Sequence, residues 1–326
     1  MSLLDRRINY KPFSYPQAHD YWLKQQQAHW LSSEVTLNQD LLDWNMNLTP
    51  SEKSIIGGIL KGFTQTEIFV NDYWSNKVGR WFQHPEVVMA ATTMASFETI
   101  HTQAYSLLDE TLGFADYKAF LAEPTIKAKI DRLVETGNID TTDMTTEKKM
   151  TMAKSLAVFS AFTEGVSLFS SFAVLLHFSR YNKMKGMSQI VTWSIKDETL
   201  HSEFGCYLFR TFVEENPEIW TDEFKKEIYQ AARDTVALED NFIDRVFEHG
   251  NIEGLTKEDL KDFIRHRANM QLGKLGLKQN WKNVDKEALK RMEWFDAIGA
   301  GVRLDDFFSV KPTDYSRGVV NFDEMF

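Results

Sequence analysis

Residues 98–105 read ETIHTQAY and residues 197–201 read DETLH. Each stretch sets a glutamate and a histidine three residues apart, which puts both side chains on one face of an α-helix. Two of the eight histidines stand in this relation to a glutamate. Chance supplies roughly half of one such pair in a chain of this composition, so the spacing alone is weak. Context strengthens it. Both pairs have apolar neighbours on the same helical side, and two more glutamates, Glu67 in GFTQTEIFV and Glu164 in FTEGVSLF, stand on otherwise apolar faces. One buried Glu or His is ordinarily a core polar group satisfied by a neighbour. Six of them in the order Glu, ExxH, Glu, ExxH point instead to a shared ligand.

Helix signals surround these residues. Thr49-Pro50-Ser51-Glu52 supplies a capping residue, a proline for the first turn and a glutamate at the third position, predicting a helix that runs to Trp74. Pro85 starts the next, which carries Glu98 and His101. Thr146-Glu147 precedes a third, Gly186 opens a fourth containing DETLH, and Thr221 and Thr256 start later ones. Alternating strands joined by Asn-Gly turns are absent. An all-α bundle of long helices is expected. Residues 155–178, SLAVFSAFTEGVSLFSSFAVLLHF, are apolar on every side except at Glu164 and are long enough to span a bilayer. Flanking positive charge is weak and no second span follows, so this segment is read as the central helix of a bundle without a membrane role. A carboxylate in such a helix is costly unless paired, which makes Glu164 a functional candidate.

The chain has 326 residues, 43% of them hydrophobic, enough to bury a large core. No Ser/Gly linker, low-complexity block or repeat divides it, so residues 1–310 are expected to form one domain with an N-terminal extension. A net charge of −10 without a basic run argues against nucleic-acid binding. The single cysteine, Cys206, excludes an internal disulfide framework and thiolate-rich metal sites. The opening MSLLDRRINYKPF lacks an apolar signal core, and a cytoplasmic location is expected.

Four carboxylates facing two divalent ions cancel formally and leave a near-neutral cluster suited to a dry interior. Neutral imidazoles complete such a set. Oxygen-rich ligands with one nitrogen per metal suit iron or manganese better than zinc or copper, and two such ions together can reduce dioxygen or a reduced oxygen species. One Glu from each of two helices and an ExxH from each of two others is the ligand pattern of ferritin-like di-metal carboxylate bundles. Tyr105 follows His101 by one helical turn, about 6 Å along the axis. Its bland role is packing with a bonded hydroxyl, but beside an oxidising metal pair a phenol is also readily converted to a radical. Leu168 and Phe172, four and eight residues beyond Glu164, would form an apolar wall around it.

At this point the chain resembles the small, radical-generating subunit of class I ribonucleotide reductase. The resemblance spans nearly the whole length, from HWLSSEV (29–35) through GFTQTEIF, SFETIHTQAYSLL, FTEGVSLF and IKDETLHSEFG to the terminal NFDEMF. It implies a ferritin-like helical bundle with additional helices. It also implies two divalent transition metals held by Glu67, Glu98, His101, Glu164, Glu198 and His201, a stable oxidant at or beside Tyr105, and long-range radical transfer to a separate catalytic subunit. Trp30 matches the family's relay tryptophan and Asp197 the aspartate that links it to the metal-bound histidine, here His101. Trp22 and Trp44 are rival tryptophans without the local pattern. The stretch PTDYSRGVVNFDEMF (312–326) has no helical period, and by resemblance residues 311–326 form a flexible tail that docks the large subunit, with Tyr315 as its relay tyrosine. A homodimer is also implied.

One departure bears on the metals. Many tyrosyl-radical members carry aspartate at the first ligand position, whereas Glu67 resembles the manganese/iron and some dimanganese groups. The manganese/iron members usually lack the tyrosine that this chain keeps. Mn/Mn, Mn/Fe and Fe/Fe pairs all remain open, with the cluster itself as an alternative oxidant to Tyr105. Two other functions share the ligand set: a ferritin-like iron-storage ferroxidase, and a di-metal oxidase acting alone on a small molecule, which needs an apolar tunnel to the metals.

Overall fold

Thr49 begins the first long helix with the capping device its sequence advertises. Its Oγ1 accepts from the Glu52 N–H at 3.2 Å while Glu52 Oε2 accepts from the Thr49 N–H at 2.7 Å, and Pro50 occupies the first turn. The computed structural model describes residues 2–113, 139–248, 250 and 252–299, with isolated positions 124, 127, 128 and 131. Its principal helices are α1 (Pro16–Gln27), α2 (Pro50–Asp72), α3 (Pro85–Leu112), α4 (Thr146–Leu156), α5 (Phe169–Arg180), α6 (Lys185–Glu215), α7 (Asp222–Phe247), α8 (Lys257–Lys274) and α9 (Lys286–Gly299). Among the described residues the only β pairing is an isolated bridge between Ile252 and Leu255. The expected all-α bundle is the observed one.

Thr221 and Thr256 cap helices as predicted, while the cap before α4 is Thr145, one residue ahead of the expected Thr146, which is the first residue of the helix. Thr145, Thr221 and Thr256 each accept a backbone N–H three residues on, at 3.3, 3.1 and 3.1 Å, and so satisfy donors that the first turns of α4, α7 and α8 leave free. Gly113, with φ of 84°, ends α3 in the left-handed conformation that glycine adopts without strain. The start of α6 differs in kind. Asp40 accepts from the N–H groups of Gly186 and Met187 at 2.9 and 2.8 Å, and Asp43 accepts from Met184 at 2.9 Å. Gly186 is therefore needed for close approach: a Cβ there would press on the Asp40 carboxylate and the Thr36 carbonyl.

α2 lies along α3, α1 packs on α3 and reaches α6, and α6 lies against α5 and the segment before it, which α7 and α8 cover. That segment, Ala157–Ser167, is a π-helix joining α4 to α5, and residues 157–166 are all buried. Its i→i+5 turns are wider than an α-helix, so the spacing that would set Leu168 one turn below Glu164 does not run through it. Leu168 and Phe172 are buried all the same, and Phe172 meets Phe63 at 5.1 Å, whose ring packs on Tyr105 at 4.8 Å between centroids. The continuous path Thr146–Arg180 is long and apolar enough to cross a membrane, yet 94% of its most apolar stretch is buried within the protein. It is the core helix of the bundle.

Candidate metal centre

Four segments converge in this core. α2 contributes Glu67, α3 contributes Glu98 and His101, the π-helix contributes Glu164, and α6 contributes Glu198 and His201, every one of them at 0% exposure. The ligand atoms fall into two groups, each spanning no more than 4.8 Å: Glu67, Glu98, His101 and Glu198, and Glu98, Glu164, Glu198 and His201. Glu98 and Glu198 belong to both.

The two shared carboxylates point one oxygen to each side. Glu98 Oε2 lies 3.2 Å from His101 Nδ1 and Oε1 lies 2.7 Å from His201 Nδ1. Glu198 Oε1 lies 3.1 Å from His101 Nδ1 and Oε2 lies 3.9 Å from His201 Nδ1. Close approach is not matched by hydrogen bonding. Among the described residues, both oxygens of Glu67 and of Glu198, Glu98 Oε1, Glu164 Oε2 and both ring nitrogens of His201 have no hydrogen-bond partner, although Glu98 Oε1 and His201 Nδ1 are only 2.7 Å apart. Atoms arranged around a common cation show this pairing of short distance with poor angle. Buried polar atoms left unsatisfied in a native fold call for such an explanation.

Electrostatics agrees. Burial, then the charge of Glu98, pushes the Glu67 carboxyl well above the usual carboxylate range, and burial, then Glu198, does the same to Glu164. Glu198 is raised by burial and by Glu98. Burial lowers the pKa of His101, but the neighbouring carboxylates of Asp197, Glu198 and Glu98 outweigh it and carry the imidazole well above its ordinary value. Protons thus stand in where divalent cations would neutralise the cluster, and metal binding would release them. The donor set of four carboxylates and two imidazoles fits two hard or borderline divalent ions.

Around the ligands lies a layer of hydrogen-bonded partners. Asp197 Oδ2 lies 3.0 Å from His101 Nε2 and accepts from Trp30 Nε1 at 2.8 Å. The Asp197 carboxylate accepts from His101 Nε2, which orients the ring with Nδ1 toward the carboxylate cluster. The Trp30 ring stacks 5.8 Å from His101 and is 4% exposed. Tyr105 Oη donates to Ser194 Oγ at 2.9 Å, and burial holds its phenol far above the ordinary range. The sequence-predicted ligands, Trp30 and Asp197 are therefore brought together, while Tyr315 lies outside the described residues. Sequence reasoning missed three partners. Gln25 on α1 donates to Asp197 Oδ1 at 2.8 Å, Trp74 Nε1 donates to Glu164 Oε1 at 3.0 Å, and Ser194 bonds Tyr105. No local motif marks them; Trp74 alone carried a signal, as a large aromatic at the end of the helix that bears Glu67.

Comparison with known proteins agrees with this geometry. The family model described as "Ribonucleotide reductase, small chain" matches residues 7–287. A probable ribonucleoside-diphosphate reductase small subunit of Invertebrate iridescent virus 6 is 36% identical, over 97% of this chain and 96% of its own. The ribonucleoside-diphosphate reductase subunit beta of Chlamydia pneumoniae is 29% identical over 93% and 88%. In fold, the chain is similar to the ribonucleotide reductase R2 subunit of Clostridium botulinum (TM-score 0.77, 21% identity, 92% of this chain and 94% of that one). It is also similar to the dimanganese(II) NrdF of Streptococcus sanguinis (TM-score 0.73, 21% identity, 88% and 99%).

Proposed function

The chain belongs to the ribonucleotide reductase small-chain family, and from that premise we propose how its core serves the small subunit of a class I ribonucleoside-diphosphate reductase. Membership over residues 7–287 sets aside the storage protein and the self-contained oxidase. Glu67, Glu98, His101, Glu164, Glu198 and His201 would hold two divalent transition metals, with Glu98 and Glu198 common to both groups of ligands. The observation that carries this is the sharing of those two carboxylates between both histidines, one oxygen to each. Manganese in one or both positions is favoured by Glu67 at the first ligand position and by the likeness to a dimanganese protein; Fe/Fe is the competing occupancy.

The metal pair, when bound, supplies a one-electron oxidant generated from dioxygen or a reduced oxygen species. The chain's own groups direct it. Asp197 keeps His101 oriented through Nε2 and accepts the Trp30 Nε1 proton, so Trp30 can give up an electron while that proton stays within the hydrogen bond to Asp197. The Tyr105 phenol is kept dry and protonated, its hydroxyl held by Ser194, and is the oxidisable side chain beside the centre. Tyr315 carries the transfer onward, in a tail over residues 311–326 that docks the large subunit, where nucleotide reduction takes place. A homodimer in the cytoplasm completes the reading. Metal analysis with paramagnetic resonance of the activated protein, paired with a reductase assay on addition of the large subunit, tests it. Two metals per chain and activity only in the mixture are expected; absence of bound metal from an active preparation would refute it.

A further inference from the structure

Gly165 directly follows Glu164 in the π-helix, and its carbonyl is gripped from α8. Arg267 Nε donates to Gly165 O at 3.2 Å and Gln271 Nε2 donates to the same oxygen at 3.4 Å; a carbonyl has two lone pairs and can accept both. The other end of the Gln271 amide, Oε1, accepts from Ser202 Oγ at 3.2 Å, and Ser202 directly follows His201. One buried amide, 2% exposed, therefore ties the residue after Glu164 to the residue after His201. Those two ligands share one group of four and neither belongs to the other group.

We infer that Gln271 is a positioning residue for one metal site of the two: it holds Glu164 and His201 in register, so the affinity of their shared site depends on it. This rests on the di-metal reading above. The amide reaches the carbonyl because position 165 is glycine; a Cβ there would overlap the Gln271 side chain. Arg267 is oriented for its own bond by lying over the Phe169 ring, 3.3 Å from the centroid. Glu164 has no such help from regular α-helical turns, because its whole neighbourhood, Ala157–Ser167, is π-helical. Beyond its own i→i+5 bonds, this segment is held at Gly165 O by two contacts from α8, and the Gln271 contact also reaches α6 through Ser202.

Manganese(II) binding to the full chain, followed by paramagnetic resonance of free and bound ion, is the test. Wild type is expected to bind two ions per chain with an exchange-coupled signal. Gln271→Met keeps volume but neither hydrogen bond. It should bind the first ion with unchanged affinity and the second about 10-fold more weakly or worse, the usual loss when support behind a ligand is removed. An uncoupled single-ion signal should then persist at concentrations that saturate wild type. Ser202→Ala removes one arm only and should weaken the same site by less. If Gln271→Met does not fold, Ser202→Ala decides alone: selective weakening of one site supports the inference and unchanged affinity overturns it. Equal weakening of both sites, or two full-affinity ions in both variants, also overturns it. Failure of wild type to bind either manganese(II) or iron(II) would instead overturn the di-metal reading itself.

Discussion

Asp197 accepts three hydrogen bonds, from Trp30, His101 and Gln25, and is nearly as buried as the ligands, at 1% exposure. Two substitutions separate its charge from its shape. Asp197→Ala strands three buried donors, and at about 1–3 kcal/mol each the loss is on the order of 5 kcal/mol, enough to threaten a marginally stable fold. Asp197→Asn strands one, the Gln25 NH2. Its remaining oxygen still faces Trp30 and His101, and its new N–H group meets Gln25, whose Oε1 has no partner among the described residues and becomes the acceptor once the amide turns over, leaving the Gln25 NH2 without the acceptor it had. Also lost is charge assistance to His101, about 1–2 kcal/mol. Metal affinity at the site served by His101 should fall roughly 10- to 100-fold, and radical transfer should fall with it. Thermal unfolding of the metal-free variants, alongside manganese titration, reads both effects. Equal destabilisation by Asn and Ala, or an Asn variant that binds metal like wild type, would refute the reasoning.

Glu98→Ala removes one of the two shared carboxylates and should reduce the metal content from two ions per chain to at most one, read by elemental analysis. Tyr105→Phe should keep both metals and abolish any sharp organic paramagnetic signal of the activated protein; a signal that survives places the radical elsewhere. Deleting residues 312–326 should leave metal loading intact and eliminate activity with the large subunit, whereas retained activity would remove the tail and Tyr315 from the transfer path. For pH, Glu67, Glu164 and Glu198 have raised folded-state pKa values, Glu198 to about 8, and both histidines are raised. The folded metal-free protein then binds more protons than the unfolded chain between about pH 4.5 and pH 8, so its stability should fall as pH rises through that window. Glu98 is shifted the other way, but its change lies below its ordinary value, outside the window. Chemical unfolding at a series of pH values should show this slope without metal and a flatter one with it.

Much of the site was legible because its signals are local. A capping threonine, a proline in a first turn and a three-residue Glu-His spacing depend only on the helix repeat, so Thr49, Pro85 and both ExxH pairs could be placed before any packing was known. The carboxylates of Glu67 and Glu164 stood out because a charge on an apolar face has no cheap local explanation. The opening of α6 was harder. Gly186 signals a helix start, but the groups that cap it, Asp40 and Asp43, lie 146 and 141 residues away from the donors they serve.

By itself the sequence determined where six of the helices start and which six side chains are candidates for metal, since capping residues and periodicity record how each segment meets an apolar interior; α1 and α9 were not read from it. Tertiary structure alone decided which faces meet. It brought Gln25 to Asp197 across 172 positions, Trp74 to Glu164 across 90 and Ser194 to Tyr105 across 89, and it turned the Glu164 segment into a π-helix clasped by Gln271. No local motif marks these pairings, because a hydrogen bond between distant helices depends on how side chains interlock, and the local repeat of either helix is indifferent to that.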